Sequence, residues 1–523
     1  MHNRAAASAA KLGVPCRKTG LRENPLNLFT PRGGVFEIIL AQGSCSPGLW
    51  PTARLLCAYP ALDRHGPCFV ITTEHFMHSS PLAPDNHALT PTPTHERVFA
   101  LRDHTALWFS LGVGLLVMQV GAYLLPALST QQALLAIVLG SFVGAGLLGW
   151  MAKIACETGL SSAALMTHVY GRQFAKLPIV LNLVQLVGWG TFELVVMRDA
   201  SVAIGRQAGG MAAPIWPWVM TLAWGAVIAL LINGSMLKLV RQLIARIALP
   251  LVVASLLWLT WHFVGLALEQ GWHSLWQRPG SGGMPWMSAM DLVIAMPISW
   301  LPLVADYARH GRHGGSALRG TWLGYAAANI WCYGLGVLVT LTLPSADLVT
   351  ALLLAQGGLI ALTLILIDEV DNAYGDTYSG AMAAHSVVPR WSLRRWGLVL
   401  TVVCVMLALV LPMHSIEPFL LLLSSVFVPL FGVILGSLAG QSAQLRSAQA
   451  LTWITQARSV HVVPVALWLA GIGLYHSMPW IWSPAGRALP TLLVCWVAAR
   501  AWVMWRQGAQ PMADSPPSRN AHH

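Results

Sequence analysis

Charge is scarce in this sequence. Lys, Arg, Asp and Glu make up 10% of it, against roughly a quarter in a soluble globular protein, while hydrophobic residues supply 56% and the mean hydropathy is +0.61 over 523 residues. That scarcity excludes a water-soluble fold of this size and places the chain in a bilayer. Two-residue alternation of polar and apolar positions is also missing, which excludes a transmembrane barrel, so the backbone must satisfy itself in helices. Paired cysteines are missing too. Cys16, Cys45, Cys57 and Cys68 precede residue 95, and Cys156, Cys332, Cys404 and Cys495 stand singly, without CxxC spacing; buried small side chains fit them better than metal or redox chemistry. HExxH, a Walker phosphate loop and a GxSxG elbow are absent, and the 18 histidines fall mostly in tails and loops, so neither ATP-driven transport nor hydrolysis has support.

What is present is a series of apolar runs. About twelve reach spanning length, near residues 107–126, 131–151, 178–200, 214–233, 246–267, 287–306, 321–343, 348–372, 396–412, 418–438, 462–479 and 488–504. Trp216/Trp218 and Trp480/Trp482 sit where hydropathy falls, as interface anchors do. With the N-terminus inside, inner loops collect groups such as Lys238/Arg241/Arg246 and Arg390/Arg394/Arg395, whereas outer loops hold only Arg206, Arg278 and Arg487. This bias predicts cytoplasmic termini in a bacterial-type inner membrane, and it accounts for the net charge of +11 without any nucleic-acid partner. The organisation expected is a polar, unstructured tail over 1–100, a ten-helix core over 101–440, two further spans over 441–505 and a polar tail over 506–523; residues 1–76 read as a segment before a native start at Met77. No secretory signal opens the sequence.

Against that background a few polar groups stand out. In GWGTFELVVMRDA the carboxylate of Glu193 falls mid-span, and Gln185, Trp189 and Glu193 recur at four-residue intervals on one helix face. A carboxylate at bilayer depth costs a few kcal/mol and must face a cavity or a partner; a structural pair with Arg198 is the plain alternative to a ligand. An indole stacks a planar heterocycle, and a carboxyl one turn away reads its edge, accepting from an exocyclic amine when ionised or also donating to a ring nitrogen when protonated. Pro297 and Pro302 predict a broken sixth span, with Ser299 and Trp300 at the break. Gly112, Gly114 and Gly121 with Gln119 predict an interruption of the first span around Met118 to Gly121. Paired interrupted helices in two five-helix repeats point to a secondary-transporter site. Asp368, Asn372 and Asp376, with Glu369 and Asp371 beside them, place oxygen ligands for a cation or carboxylates for a proton near the end of the eighth run, unless that segment is a solvated helix end.

These stretches, with TGLSSAAL and IEPFLLLLSSVFVPLFGVIL, resemble the nucleobase:cation symporter-1 family, and within it the CytX branch of hydroxymethylpyrimidine permeases. The resemblance covers about residues 100–440. It implies an all-α, twelve-helix, LeuT-like 5+5 inverted repeat with two added C-terminal helices, and a substrate held between spans one, three, six and eight. It further implies stacking by Trp189, with an acid, Glu193, where relatives carry an amide. Gln185, Gln119, Ser299, Trp300 and Asn372 complete the expected substrate set. Met118 and Gly121, with Asp368, Glu369 and Asp371, form the expected coupling set for sodium or a proton, and no other cofactor is implied. The function expected is symport of an aminopyrimidine, foremost hydroxymethylpyrimidine for thiamin salvage, with a cytosine, purine or allantoin permease as the alternative. A membrane enzyme is a distant third, since no nucleophile or metal set accompanies the acids.

Overall fold

The computed structural model describes residues 88–235, 246–411, 416–440 and 443–508, together with two short strands. The chain forms two compact units, Met1–Ala83 and Pro84–His523. In the first, Leu26–Phe29 pairs antiparallel with Val35–Ile38; the rest of the expected N-terminal tail up to residue 87, including Met77, lies outside the described residues, as does the tail beyond 508.

The second unit is all-helical, with twelve candidate spans among the described residues, of which nine, or ten with the bent first pair taken as one, are long and apolar enough to cross a membrane. The first is a bent pair, Leu101–Ser110 and Leu115–Tyr123, meeting at 61°. Then come Thr130–Thr158, Lys176–Gln207, Trp216–Ile232 and Leu249–Glu269, followed by the sixth span in two pieces, Trp286–Ser299 and Leu301–Ala308. Gly314–Thr342, Gly358–Val387, Leu393–Val410, Ile416–Leu438, Val462–Trp482 and Ala488–Gly508 complete the set. The eighth span starts ten residues later than the apolar run suggests and continues to Val387, because the short helix Leu348–Leu354 precedes it separately. Its acids therefore lie in the helix's middle, where Asp368, Glu369, Asp371 and Asp376 are all buried; the solvated-end alternative is overturned.

Local chemistry sets these elements. Ser129 caps the second span by accepting from the Gln132 amide while the Gln132 side chain accepts from the Ser129 amide. Gly159, at φ +71°, ends that span in a left-handed turn. Small residues let helices approach without side chains between them: a Cβ on Gly144 would run into the Pro297 ring, and one on Gly121 into the Tyr333 carbonyl. Trp480 is 90% exposed and Trp261 79%, as side chains turned to lipid or interface are.

Residues 88–99, expected as part of the loose tail, are instead bonded to the core. The Thr92 amide donates to the Gly159 carbonyl (2.8 Å) and the Phe99 amide to that of His310 (2.9 Å), and the Arg312 amide donates back to the Phe99 carbonyl (3.0 Å). Arg309, buried at the end of the sixth span, reaches the Thr90 carbonyl (2.9 Å) and the Thr92 hydroxyl. A polar sequence gives no apolar signal for such a strap; backbone hydrogen bonds supply the ordering.

Candidate functional site

The first span breaks at Leu111–Gly114, earlier than Met118–Gly121. Two glycines in LGVG weaken the helix there, and the eighth span satisfies the groups the break frees. Glu369 accepts from the Leu115 amide at 2.5 Å, at the N-terminus of the second half-helix, where a negative charge also meets the helix dipole. Asn372 donates to the Val113 carbonyl (3.2 Å) and to the second oxygen of Glu369 (3.1 Å). Met118 and Gly121 instead pack against the seventh span, where a Cβ on Gly336 would collide with the Met118 carbonyl, and Gln119 is half-buried away from the site.

In the sixth span the interruption is a single residue, Trp300, without a large bend. The Leu303 amide bonds to the Trp300 carbonyl (3.1 Å) rather than to Ser299, which leaves the Ser299 carbonyl for Gln185 Nε2 (3.0 Å). Gln185 also donates to Asn182 (3.1 Å). It thus braces the third span against the sixth behind the site, and the Ser299 hydroxyl turns back to the Met296 carbonyl (2.7 Å).

Between these elements lies a small cavity of about 20 Å³ lined by Trp189, Glu193, Trp300, Glu369 and Asn372, with Leu116, Val117 and Met296 as apolar wall. That is room for about one water, so a heterocycle enters only as the helices part. Trp189 is held by Phe419 of the tenth span, ring centres 5.2 Å apart at 74°, and Trp300 by Trp108 at 6.2 Å and 85°. Gly188 leaves the space that Phe419 fills, since a Cβ there would sit 2.7 Å from the Phe419 ring. Glu193 is 5% exposed, lines the cavity together with Glu369, and has no partner for Oε2 among the described residues. Arg198 does not pair with it; its guanidinium goes to Asp199 (2.7 Å) and the Ala408 carbonyl (2.9 Å).

The acids of the eighth span diverge rather than converge. Asp368 accepts from the Ser110 hydroxyl (2.6 Å) and neither oxygen of Asp371 has a hydrogen-bond partner among the described residues, whereas Asp376 faces Gly190 and Cys404. Among the described residues no group of three His, Cys, Asp or Glu side chains is placed to hold a metal ion. At 3.6 residues per turn, positions 368 to 376 fan across much of one side of the helix, and different neighbours take different acids. Phe419 and Leu116 also belong to the site; their only sequence signal is their place in the apolar runs that carry the family resemblance.

A helical bundle with a broken first span and a small cavity between spans one, three, six and eight has the architecture of a secondary transporter rather than an enzyme. The chain belongs to the family of permeases for cytosine/purines, uracil, thiamine and allantoin, whose model matches residues 91–496. Its fold is that of Mhp1, a nucleobase-cation-symport-1 family transporter solved in a closed conformation with bromovinylhydantoin bound: TM-score 0.67, 17% identity, over 81% of this chain and 97% of that one. The inward-facing form of Mhp1 gives 0.64 at 17%, over 81% and 94%. MhsT, solved with L-phenylalanine, gives 0.50 at 17%, over 76% and 98%, so the LeuT-like fold is shown. No curated protein sequence matches.

Proposed function

We propose that this permease-family protein imports an aminopyrimidine, foremost hydroxymethylpyrimidine, across an inner membrane with both termini cytoplasmic. The observation that carries the reading is the acid at 193, with a free oxygen in a cavity walled by the indoles of Trp189 and Trp300. The indoles sandwich a flat ring. Glu193 then donates to a ring nitrogen and accepts from the adjacent amine, a pattern an aminopyrimidine edge completes. A uracil or hydantoin edge puts carbonyls on both sides of its N–H. Its carbonyl can take the acid's O–H while its N–H reaches the acceptor oxygen, but a carbonyl is a weaker base than an aminopyrimidine's ring nitrogen, so the bond to the O–H is weaker by about 1 kcal/mol.

Binding competition on the purified protein tests this. Hydroxymethylpyrimidine and cytosine should displace each other, and uracil should compete about fivefold more weakly, the ratio that a difference of about 1 kcal/mol sets. Equal competition by uracil would remove the edge-reading role of Glu193.

A further inference from the structure

The carboxyl groups of Glu193 and Glu369 line one cavity, and both oxygens of Glu369 already accept, from Leu115 and Asn372. Two buried carboxylates in one small cavity do not both stay ionised, so one of them holds a proton; with both oxygens of Glu369 engaged as acceptors, Glu193 is its holder, and its O–H is left for the substrate. No cation offsets the pair: the cavity lining contains no Lys, Arg or His, and Arg198 is committed to Asp199.

A second buried acid lies on the same side of the eighth span. Asp376 is 2% exposed, and neither of its oxygens has a hydrogen-bond partner among the described residues. It is seven residues beyond Glu369, a rise of about 10 Å with a net rotation of only about 20°, and lies against Gly190, three residues before Glu193 on the third span. Gly190 supplies no side chain, Cys404 from the ninth span is the titratable neighbour at that glycine, and on the eighth span Asp371, five residues before Asp376, also has both oxygens unpartnered among the described residues. A buried, unpaired carboxylate is untenable, so Asp376 is neutral when the protein is closed.

We propose that the coupling ion is a proton, carried by the Glu193–Glu369 pair together with the substrate and taken over by Asp376 on the side of the inner loops. When that side opens, Asp376 loses its proton to water. Its carboxylate then takes the proton from Glu193, which is left ionised beside Glu369; repulsion between the two opens the grip on the substrate's edge. The Val113 carbonyl, freed at the helix break, is already bonded to Asn372, and the hydroxyl of Ser110 is committed to Asp368, so the chain spends on its own side chains groups that a bare cation would need.

The inference rests on the aminopyrimidine reading for its substrate, and the test keeps the two apart. Full-length protein is reconstituted in liposomes with radiolabelled hydroxymethylpyrimidine or cytosine. An inward proton gradient should drive accumulation, about tenfold per pH unit for one proton per neutral substrate, and a sodium gradient at uniform pH should not. Asp376→Asn should keep substrate exchange at equal concentrations and lose accumulation. Sodium-driven accumulation, or full accumulation by Asp376→Asn, overturns the proposal. Infrared spectra of the protein without substrate supply an independent arm: the carbonyl stretch of a protonated carboxyl should be present at neutral pH and diminish in Glu193→Gln and in Asp376→Asn. If neither heterocycle binds, the substrate reading fails, and bands unchanged in both variants would still overturn the proton site.

Discussion

Replacing Glu193 by Gln keeps the side chain's length and, if the acid is protonated, its hydrogen-bonding pattern. The amide NH2 donates to a ring nitrogen as the acid's O–H does, and the amide oxygen accepts from the substrate's amine. Replacing it by Met keeps the length and removes every polar atom. Two neutral hydrogen bonds to the substrate are then lost, at about 0.5–1.5 kcal/mol each, or about 1–3 kcal/mol together, roughly a 5- to 150-fold rise in Kd. Equilibrium binding of labelled hydroxymethylpyrimidine to detergent-purified variants reads this directly. Glu193→Gln should bind within about threefold of the parent, a difference below about 0.7 kcal/mol, and lose gradient-driven uptake, while Glu193→Met should lose affinity over the stated range. A Glu193→Gln protein as weak as Glu193→Met would mean that an ionised carboxylate reads the ring, refuting the protonated form. A Glu193→Met protein at parental affinity would take Glu193 out of the substrate site altogether.

Other outcomes follow from the same geometry. Trp189→Ala and Trp300→Ala should each weaken binding by about 1–3 kcal/mol of lost stacking, measured in the same binding assay. Gly121→Ala forces a Cβ into the Tyr333 carbonyl and should cost about 1–3 kcal/mol of overpacking, seen as a lowered Tm, whereas Gly473→Ala, with nothing within 4 Å, should leave Tm unchanged. Thr92→Val removes the hydroxyl that Arg309 holds, so amide hydrogen exchange over residues 88–99 should speed up while that of the spans stays as it was.

The spans are legible in the sequence because a bilayer imposes one strong rule, apolar length, on nearly every helix. The rule fails where function overrides it. In the eighth span, buried acids end the apolar run at 372 although the helix continues to Val387, because those acids face other helices rather than lipid. The glycine pattern puts the first-span break too late: glycines mark both a helix break and a close helix contact, and only the partner surface tells them apart. Gly114 adjoins the Glu369 carboxyl, whereas Gly121 adjoins the Tyr333 backbone. Trp189 and Glu193 can be found because helical spacing alone puts them on one face. Phe419 cannot, since its contact with Trp189 joins residues 230 positions apart.

Glu369 links the site to the helix break, and its replacement by Gln shows how tightly. As a carboxylate it accepts from two donors, the Leu115 amide and Asn372 Nδ2. A glutamine side chain has one acceptor oxygen. If that oxygen keeps the Leu115 amide, the new NH2 confronts the NH2 of Asn372. Asn372 relieves that only by turning its own oxygen toward the introduced amide, and its NH2 then leaves the Val113 carbonyl, which it now bonds at 3.2 Å. Either way one buried group at the break loses its partner, at about 1–3 kcal/mol. Glu369→Gln should therefore lower thermal stability by an amount that Glu193→Gln does not, because an amide at position 193 leaves both bonds of Glu369 to the break in place. Adding Asn372→Asp to Glu369→Gln should recover most of the loss, because the introduced carboxylic acid, protonated where it is buried, donates its O–H to the Val113 carbonyl and accepts from the introduced amide, while Asn372→Asp alone, setting a second acid against Glu369, should be worse than either. Equal Tm values for the parent, the two single variants at 369 and 372 and their double variant would mean that the eighth span does not hold the break, and the link between substrate edge and half-helix would fall with it.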